Sequence, residues 1–334
     1  MKFNYLLSVL EIMILFSACS GQQKGCVLEG EIHGLINPAI YVVSMSETNT
    51  KIDTLLTQEG KFQYTAFCDS LQPYVIYMEE ASTYFTVWAK NGEKIRISGD
   101  VAAPEFIQVK GNETNDLLTA FRTDSSTDKT RIQSAGIFIK AHPSSIAALV
   151  LIQDYLIQTE DAELLGKNLA LIESPARENP LFKRLESYHQ LLLQTAVGAS
   201  APDFSVVDTQ GDTLTLASFK DQYVLLAFGA STCESCNKDC PALKKIHQKQ
   251  AKKKIAVLSL VFDEDRNAWK KSPPECKISW KQAVDSYGLA SPLIRAYNIH
   301  SLPDYYLLDS NHHILLAHAT LNEIETILAQ KTEN

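Results

Sequence analysis

The sequence has no surplus of basic charge: 31 Lys and Arg stand against 39 Asp and Glu, a formal net charge of −8. A chain of this sign has no general attraction for nucleic-acid phosphates. Its densest basic run, "KKIHQKQAKKK", holds no interleaved aromatics and reads as a solvated helix end. The P-loop pattern G-x-x-x-x-G-K-[ST] is missing, so nothing announces a backbone cradle for nucleotide phosphates. The nucleophile turn G-x-S-x-G is missing too, which removes the usual serine-hydrolase arrangement. No repeat of fixed period and no long low-complexity linker is present, so solenoids and tethered arrays are excluded.

What is present is a chain of 334 residues, 45% hydrophobic, long enough for about two domains with their own cores. Its first residues, "MKFNYLLSVLEIMILFSACS", combine Lys2, an apolar stretch interrupted by Glu11, and small residues before Cys19. This is the pattern of a secretory signal. Its end, "LFSAC", resembles the lipobox of bacterial lipoproteins, which implies a signal over residues 1–18 and Cys19 as a lipidated first mature residue. The expected location is the cell envelope, facing the periplasm, with the outer membrane favoured by Ser20 after the cysteine. Thiols outside the cytosol tend to pair. Of the other six cysteines, Cys26 and Cys68 form either a bridge or two buried thiols, and Cys233, Cys236, Cys240 and Cys276 cluster late in the chain.

Three patterns follow the signal. Over residues 19–111, alternating segments such as "AIYVVSM", "KFQYTAF", "PYVIYME" and "KIRISGD", separated by "QEGK" and "KNGEK" turns, predict an antiparallel β-sandwich-like domain. Tyr74, Tyr77, Tyr84, Phe85 and Trp88 are expected in its core and cross-strand pairs. Over residues 112–197 the spacing of Leu164, Leu165, Leu169 and Ile172 is helical, and Pro143 and Pro180 suit helix starts, giving a helical connector. His142 and His189 fall there as surface or boundary residues. From residue 198 to 334 strand and helix patterns alternate, with "YVLLAF" and "IAVLSLVF" as central strands, "DSNHHI" as a hairpin and "LNEIETILAQ" as a closing helix, the signature of an α/β sheet.

The chemistry concentrates in "FGASTCESCNKDCPALKK". A strand ending near Phe228 and a helix beginning near Cys233 put the first sulfur where free N–H groups and the helix dipole favour a thiolate. A free cysteine titrates near pH 8.5, and a Cys-X-X-Cys site at a helix start lowers this. Cys233 is then the nucleophile. Cys236, one turn on, resolves the mixed disulfide.

These residues, with "GASAPDF", "GDTLTLASFK", Pro241, "FDEDRNAWKK" and "YNIHSLPDYYLLDSNHHI" in order, resemble the thioredoxin-like oxidoreductases of the TlpA/ResA type, within the wider redoxin (AhpC/TSA-like) group, from residue 198 onward. The β domain resembles those that precede such domains in lipoproteins. The resemblance implies a thioredoxin-like fold, a redox-active Cys233–Cys236 pair, and a cis bond before Pro303 whose loop, with Leu302, receives an extended substrate segment. It implies no cofactor. The implied partners are protein thiols or disulfides, a membrane or envelope electron donor, and the lipid bilayer through Cys19.

The sequence departs from this family at three places. Gly229 and Thr232 replace frequent tryptophans, and Ala227 stands where thioredoxin keeps a buried acid. Glu264 is the candidate replacement proton acceptor, with Asp263 and Asp265 beside it; a solvated acidic loop is the other reading. Two alternatives remain. "CNKDCP" also resembles the CxxxCP motif of Sco-type copper chaperones, with Cys240 and His300 as further ligands; or the fold is structural within a binding lipoprotein. A peroxidase reading fails, because neither Cys233 nor Cys236 has both the proline and the threonine that the peroxiredoxin pattern sets ahead of its reactive cysteine.

Overall fold

The computed structural model describes residues 25–45, 50–79, 82–123, 128–250, 255–265 and 279–332; Cys19 and Cys276 lie outside them. The chain divides after residue 127 into two compact units.

In the first unit, alternating sequences give β1 (Cys26–His33), β2 (Ala39–Met45), β3 (Thr50–Leu56), β4 (Lys61–Ala66), β5 (Gln72–Met78), β6 (Thr83–Ala89), β7 (Lys94–Asp100) and β8 (Gln108–Lys110), followed by helix α1 (Glu113–Arg122). The strands form two four-stranded sheets, ordered β4-β1-β7-β8 and β3-β2-β5-β6. Because successive side chains point to opposite faces, Tyr74, Ile76 and Met78 of β5 turn inward and share one core with Leu28, Ile40, Phe85 and Ile95. Each such aliphatic side chain contributes about 1.5–3 kcal/mol on burial.

Two expectations change here. Pairing is antiparallel except between β1 and β7, which run parallel. Tyr77 and Tyr84 form an expected cross-strand pair, between β5 and β6 on the outer face, where Tyr84 is 66% exposed. Trp88 is buried by α1, whose Asn115 side chain bonds both the Trp88 N–H (3.0 Å) and its carbonyl (2.7 Å). Thr119 of α1 holds Val109 of β8 in the same way. The first helix of the expected connector therefore goes with the β domain, and the division falls after residue 127 rather than 111.

The second unit opens with α2 (Asp128–Ala141), α3 (Ile146–Leu151), α4 (Ala162–Leu169) and α5 (Pro180–Thr195). Ser145, Asp161 and Asn179 cap the last three by accepting from backbone N–H groups. Pro180 occupies the first turn of α5, as its fixed φ favours, whereas Pro143 lies ahead of the α3 cap instead of starting a helix.

The short strands β9 (Val206–Val207) and β10 (Thr213–Leu214) precede β11 (Tyr223–Gly229), α6 (Glu234–Gln250), β12 (Ile255–Phe262), β13 (Lys281–Asp285), α7 (Pro292–Ala296), β14 (Asp304–Leu308), β15 (Ile314–Leu316) and α8 (Leu321–Thr332). The main sheet is ordered β13-β12-β11-β14-β15, parallel across β11 to β13 and antiparallel beyond. Its central strand is covered on both sides, which is why "YVLLAF" is apolar without alternation. Val224, Leu226 and Phe228 pack with Tyr297 and Tyr306. Leu225 and Ala227 face Leu243 and Ile246 of α6 and Ile324 and Leu328 of α8.

Candidate active site

The site forms where β11 ends and α6 begins. After Gly229 the chain turns, with the Cys233 N–H donating to the Ala230 carbonyl at 3.1 Å. Asp263, at the end of the neighbouring strand β12, fixes this turn: its carboxylate accepts from the Ser231 N–H (3.1 Å) and from the Ser231 hydroxyl (3.1 Å). Cys233 then occupies the cap position of α6. Its sulfur takes a bond from the Cys236 N–H at 3.1 Å, the place an N-cap oxygen normally fills. Any negative charge that this sulfur acquires lies on the positive end of the helix dipole.

Cys233 and Cys236 are joined in a disulfide with Cα atoms 5.3 Å apart, and both residues are half-buried. The Leu302–Pro303 bond is cis. Antiparallel register pairs Phe228 with Asp304, so Pro303 lies beside Gly229 at the strand end from which the cysteine turn departs. Pro303 and Cys236 line one cavity together with Cys240 and Tyr305. Leu302 packs against the core formed by Phe228 and Tyr306.

A family model described as the AhpC/TSA family matches residues 197–317. The C-terminal domain belongs to the AhpC/TSA family, as a thioredoxin-like thiol-disulfide oxidoreductase. A "Domain of unknown function (DUF4369)" model matches residues 26–118. The chain is 27% identical over 130 residues to thiol-disulfide oxidoreductase ResA of Bacillus cereus, covering 39% of this chain and 73% of that one. It is 31% identical over 119 residues to the thioredoxin-like protein YneN of Bacillus subtilis, covering 34% and 65%. Among solved structures, a thiol-disulfide oxidoreductase from Bacteroides fragilis is 31% identical over 40% of this chain and 98% of its own, with a TM-score of 0.38.

Against this AhpC/TSA frame the chain's own residues matter most. Gly229 lets the Cys236 sulfur approach the strand end: an added Cβ would stand 3.3 Å from that sulfur. Thr232 is exposed and Ala227 is buried. Glu264 is also exposed, and its side chain rests over Gly288. The acid that touches the cysteine turn is its neighbour Asp263, because the last residue directed inward past β12 is the one that meets Ser231. Sequence reading chose Glu264 as the acid, whereas in the structure the residue before it, Asp263, is the one that reaches the cysteine turn.

Cys240 is a buried thiol one turn beyond Cys236. His300 is turned to Glu160, its Nε2 lying 3.3 Å from the carboxylate. Among the described residues, no group of three or more His, Cys, Asp or Glu is placed to hold a metal ion. The copper-chaperone alternative therefore finds no ligand set there. Sequence reading also missed the buried polar residues Ser259 and Gln282 beneath the cysteine helix, since only strand pairing brings them to Ala227.

Proposed function

We propose that the protein reduces disulfides of other envelope proteins, with Cys233 as nucleophile and Cys236 as resolving thiol. The observation that carries this reading is the capped position of the Cys233 sulfur, bonded by the Cys236 N–H at the start of α6. In the reduced protein the Cys233 thiolate attacks a substrate disulfide, forming a mixed disulfide and releasing one substrate thiolate, which takes up a proton. Cys236 loses its proton and attacks the Cys233 sulfur. The second substrate thiolate leaves, and two electrons have passed from the dithiol to the substrate.

The cis-Pro303 loop supplies the docking strand, since its backbone lies beside the strand end from which the cysteine turn leaves. Lipidation of Cys19 tethers the domain to an envelope membrane, where more than one acyl chain gives durable anchoring. A membrane or envelope donor returns the protein to the dithiol. Reduction of a model protein disulfide tests the chemistry: Cys233→Ala abolishes turnover, while Cys240→Ala retains it. Fractionation tests the tether, with processed Cys19→Ala protein leaving the membrane fraction.

A further inference from the structure

Resolution requires Cys236 to lose a proton, and the residues around its sulfur have an unusual composition. The cavity that it lines, with Cys240, measures about 80 Å3. Among the described residues that line it there is no Asp, Glu, His or Lys. Its floor is a row of cross-strand neighbours on the sheet face under α6. Tyr305 of β14 pairs with Ala227 of β11, Ala227 with Ser259 of β12, and Ser259 with Gln282 of β13.

Two members of this row, Ser259 and Gln282, bring buried polar side chains to the cavity. Gln282 is only 6% exposed, it lines the cavity, and its side-chain amide is not among the described buried polar groups that lack a partner. Ser259 is 8% exposed; its oxygen accepts from the Trp280 indole N–H at 2.8 Å, leaving its own O–H to donate. Much of the cavity wall is apolar, but Ser231, Asn237, Ser259 and Gln282 give it a polar side, and a cavity of this size has room for several waters, each of which needs two to four polar partners.

Resting on the reading of Cys236 as the resolving thiol, we infer that Gln282 and Ser259 hold a water chain under Cys236, through which its proton leaves without a carboxylate base. Gln282 is a positioning residue in this scheme. The proton passes from the Cys236 sulfur to cavity water and on to solvent, while the electron pair left on sulfur attacks Cys233. Ala227 takes part by being small, keeping open the space between Cys236 and the row. The titratable groups nearby among the described residues are Cys240 and Asp239 on α6, Tyr305 on β14, whose hydroxyl donates to Asp239, Asp263 after β12, which accepts from Ser231, and His247 against Trp280. Asp263 is the competing base, because Ser231 also lines the cavity.

The test is single-turnover resolution on the full chain. A thionitrobenzoate mixed disulfide is formed on Cys233 of the reduced protein, and release of the coloured thiolate is followed against pH. Gln282→Leu is expected to slow release by at least about tenfold at neutral pH, while alkylation of Cys233 in the Cys236→Ser background is unchanged. Gln282→Glu, which refills the site with an ionisable group, is expected to add a second ionisation to the pH profile, and Asp263→Asn to leave the profile in place. A folded Gln282→Leu protein that resolves at the wild-type rate overturns the inference. So does loss of the pH dependence in Asp263→Asn, which would make that carboxylate the base. Should Gln282→Leu not fold, absence of a new ionisation in Gln282→Glu overturns it equally. An adduct that forms only on Cys236 would instead contradict the assignment of nucleophile and resolving thiol.

Discussion

The His318 Nδ1 atom lies 2.7 Å from Asp304 Oδ2, immediately beyond cis-Pro303. Its Nε2 meets the Tyr306 hydroxyl at 2.9 Å, and that hydroxyl donates to the Tyr297 carbonyl at 2.7 Å. With its proton so engaged, Tyr306 must accept from His318, so both ring nitrogens donate and the imidazolium form is the one that fits. The Asp304 bond raises the His318 pKa above the ordinary value near 6.5, against the opposing effect of burial. A raised histidine contributes stability that is complete below its unfolded pKa and is lost as pH rises through the folded one. Melting temperature should fall between about pH 6.5 and the folded value, and that slope should vanish in His318→Gln; an NMR titration of the ring proton gives the folded value directly.

Asp208 behaves with the opposite sign. Its side chain is 1% exposed, accepts from Lys281 Nζ at 2.7 Å and from the Gln210 and Asp212 N–H groups, and so joins the β9–β10 hairpin to β13. The Lys281 bond holds its carboxyl below the usual range, despite burial. A depressed acid stabilises above its unfolded pKa, near 3.8, and that contribution is lost as pH falls through the folded one. Asp208→Asn should therefore melt lower than wild type at neutral pH, with the difference shrinking in acid.

Glu234 sits within the Cys-X-X-Cys turn and pairs with Lys238 at 2.7 Å on the exposed side of α6. Its carboxylate repels the Cys233 thiolate, which belongs to the reduced form, and so makes the couple more reducing; Lys238 offsets much of this. Glu234→Gln should raise the reduction potential and lower the Cys233 pKa, and Lys238→Gln should shift both the other way. Because both groups are largely exposed, each shift should stay under about 30 mV. Equilibration with glutathione buffers reads the change.

The two thiols of the β domain are buried and unbridged in this structure. Burial, with Glu93 and Cys68 nearby, pushes the Cys26 thiol up to about 11, and burial raises Cys68 as well. Both are uncharged at neutral pH and therefore poor nucleophiles. Iodoacetamide at pH 8 should leave them unlabelled in the native protein and label both after denaturation, as peptide mass will show.

The elements most legible in the sequence were those written locally. Apolar alternation located β5 and β7, the continuous run located β11, and ordered motifs singled out Cys233, Cys236 and Pro303. What failed to show depends on residues far apart in the chain. The parallel pairing of β1 with β7 leaves no local mark, and Asn115 and Thr119 bind α1 to the β domain through single side chains. One position separates buried Asp263 from exposed Glu264, a difference set by where β12 ends. The row from Tyr305 to Gln282 exists only once four strands are in register.

The central claim is that Cys233 exchanges disulfides with other envelope proteins. Its most direct test is to express Cys236→Ser in the native cell, quench thiols with acid, and separate covalent adducts before and after reduction. The account predicts adducts joined through Cys233 to proteins that themselves contain disulfides, absent when Cys233 is also replaced by Ala. Adducts that persist without Cys233, or a variant that captures nothing while its Cys233 remains reduced and alkylatable, would contradict it.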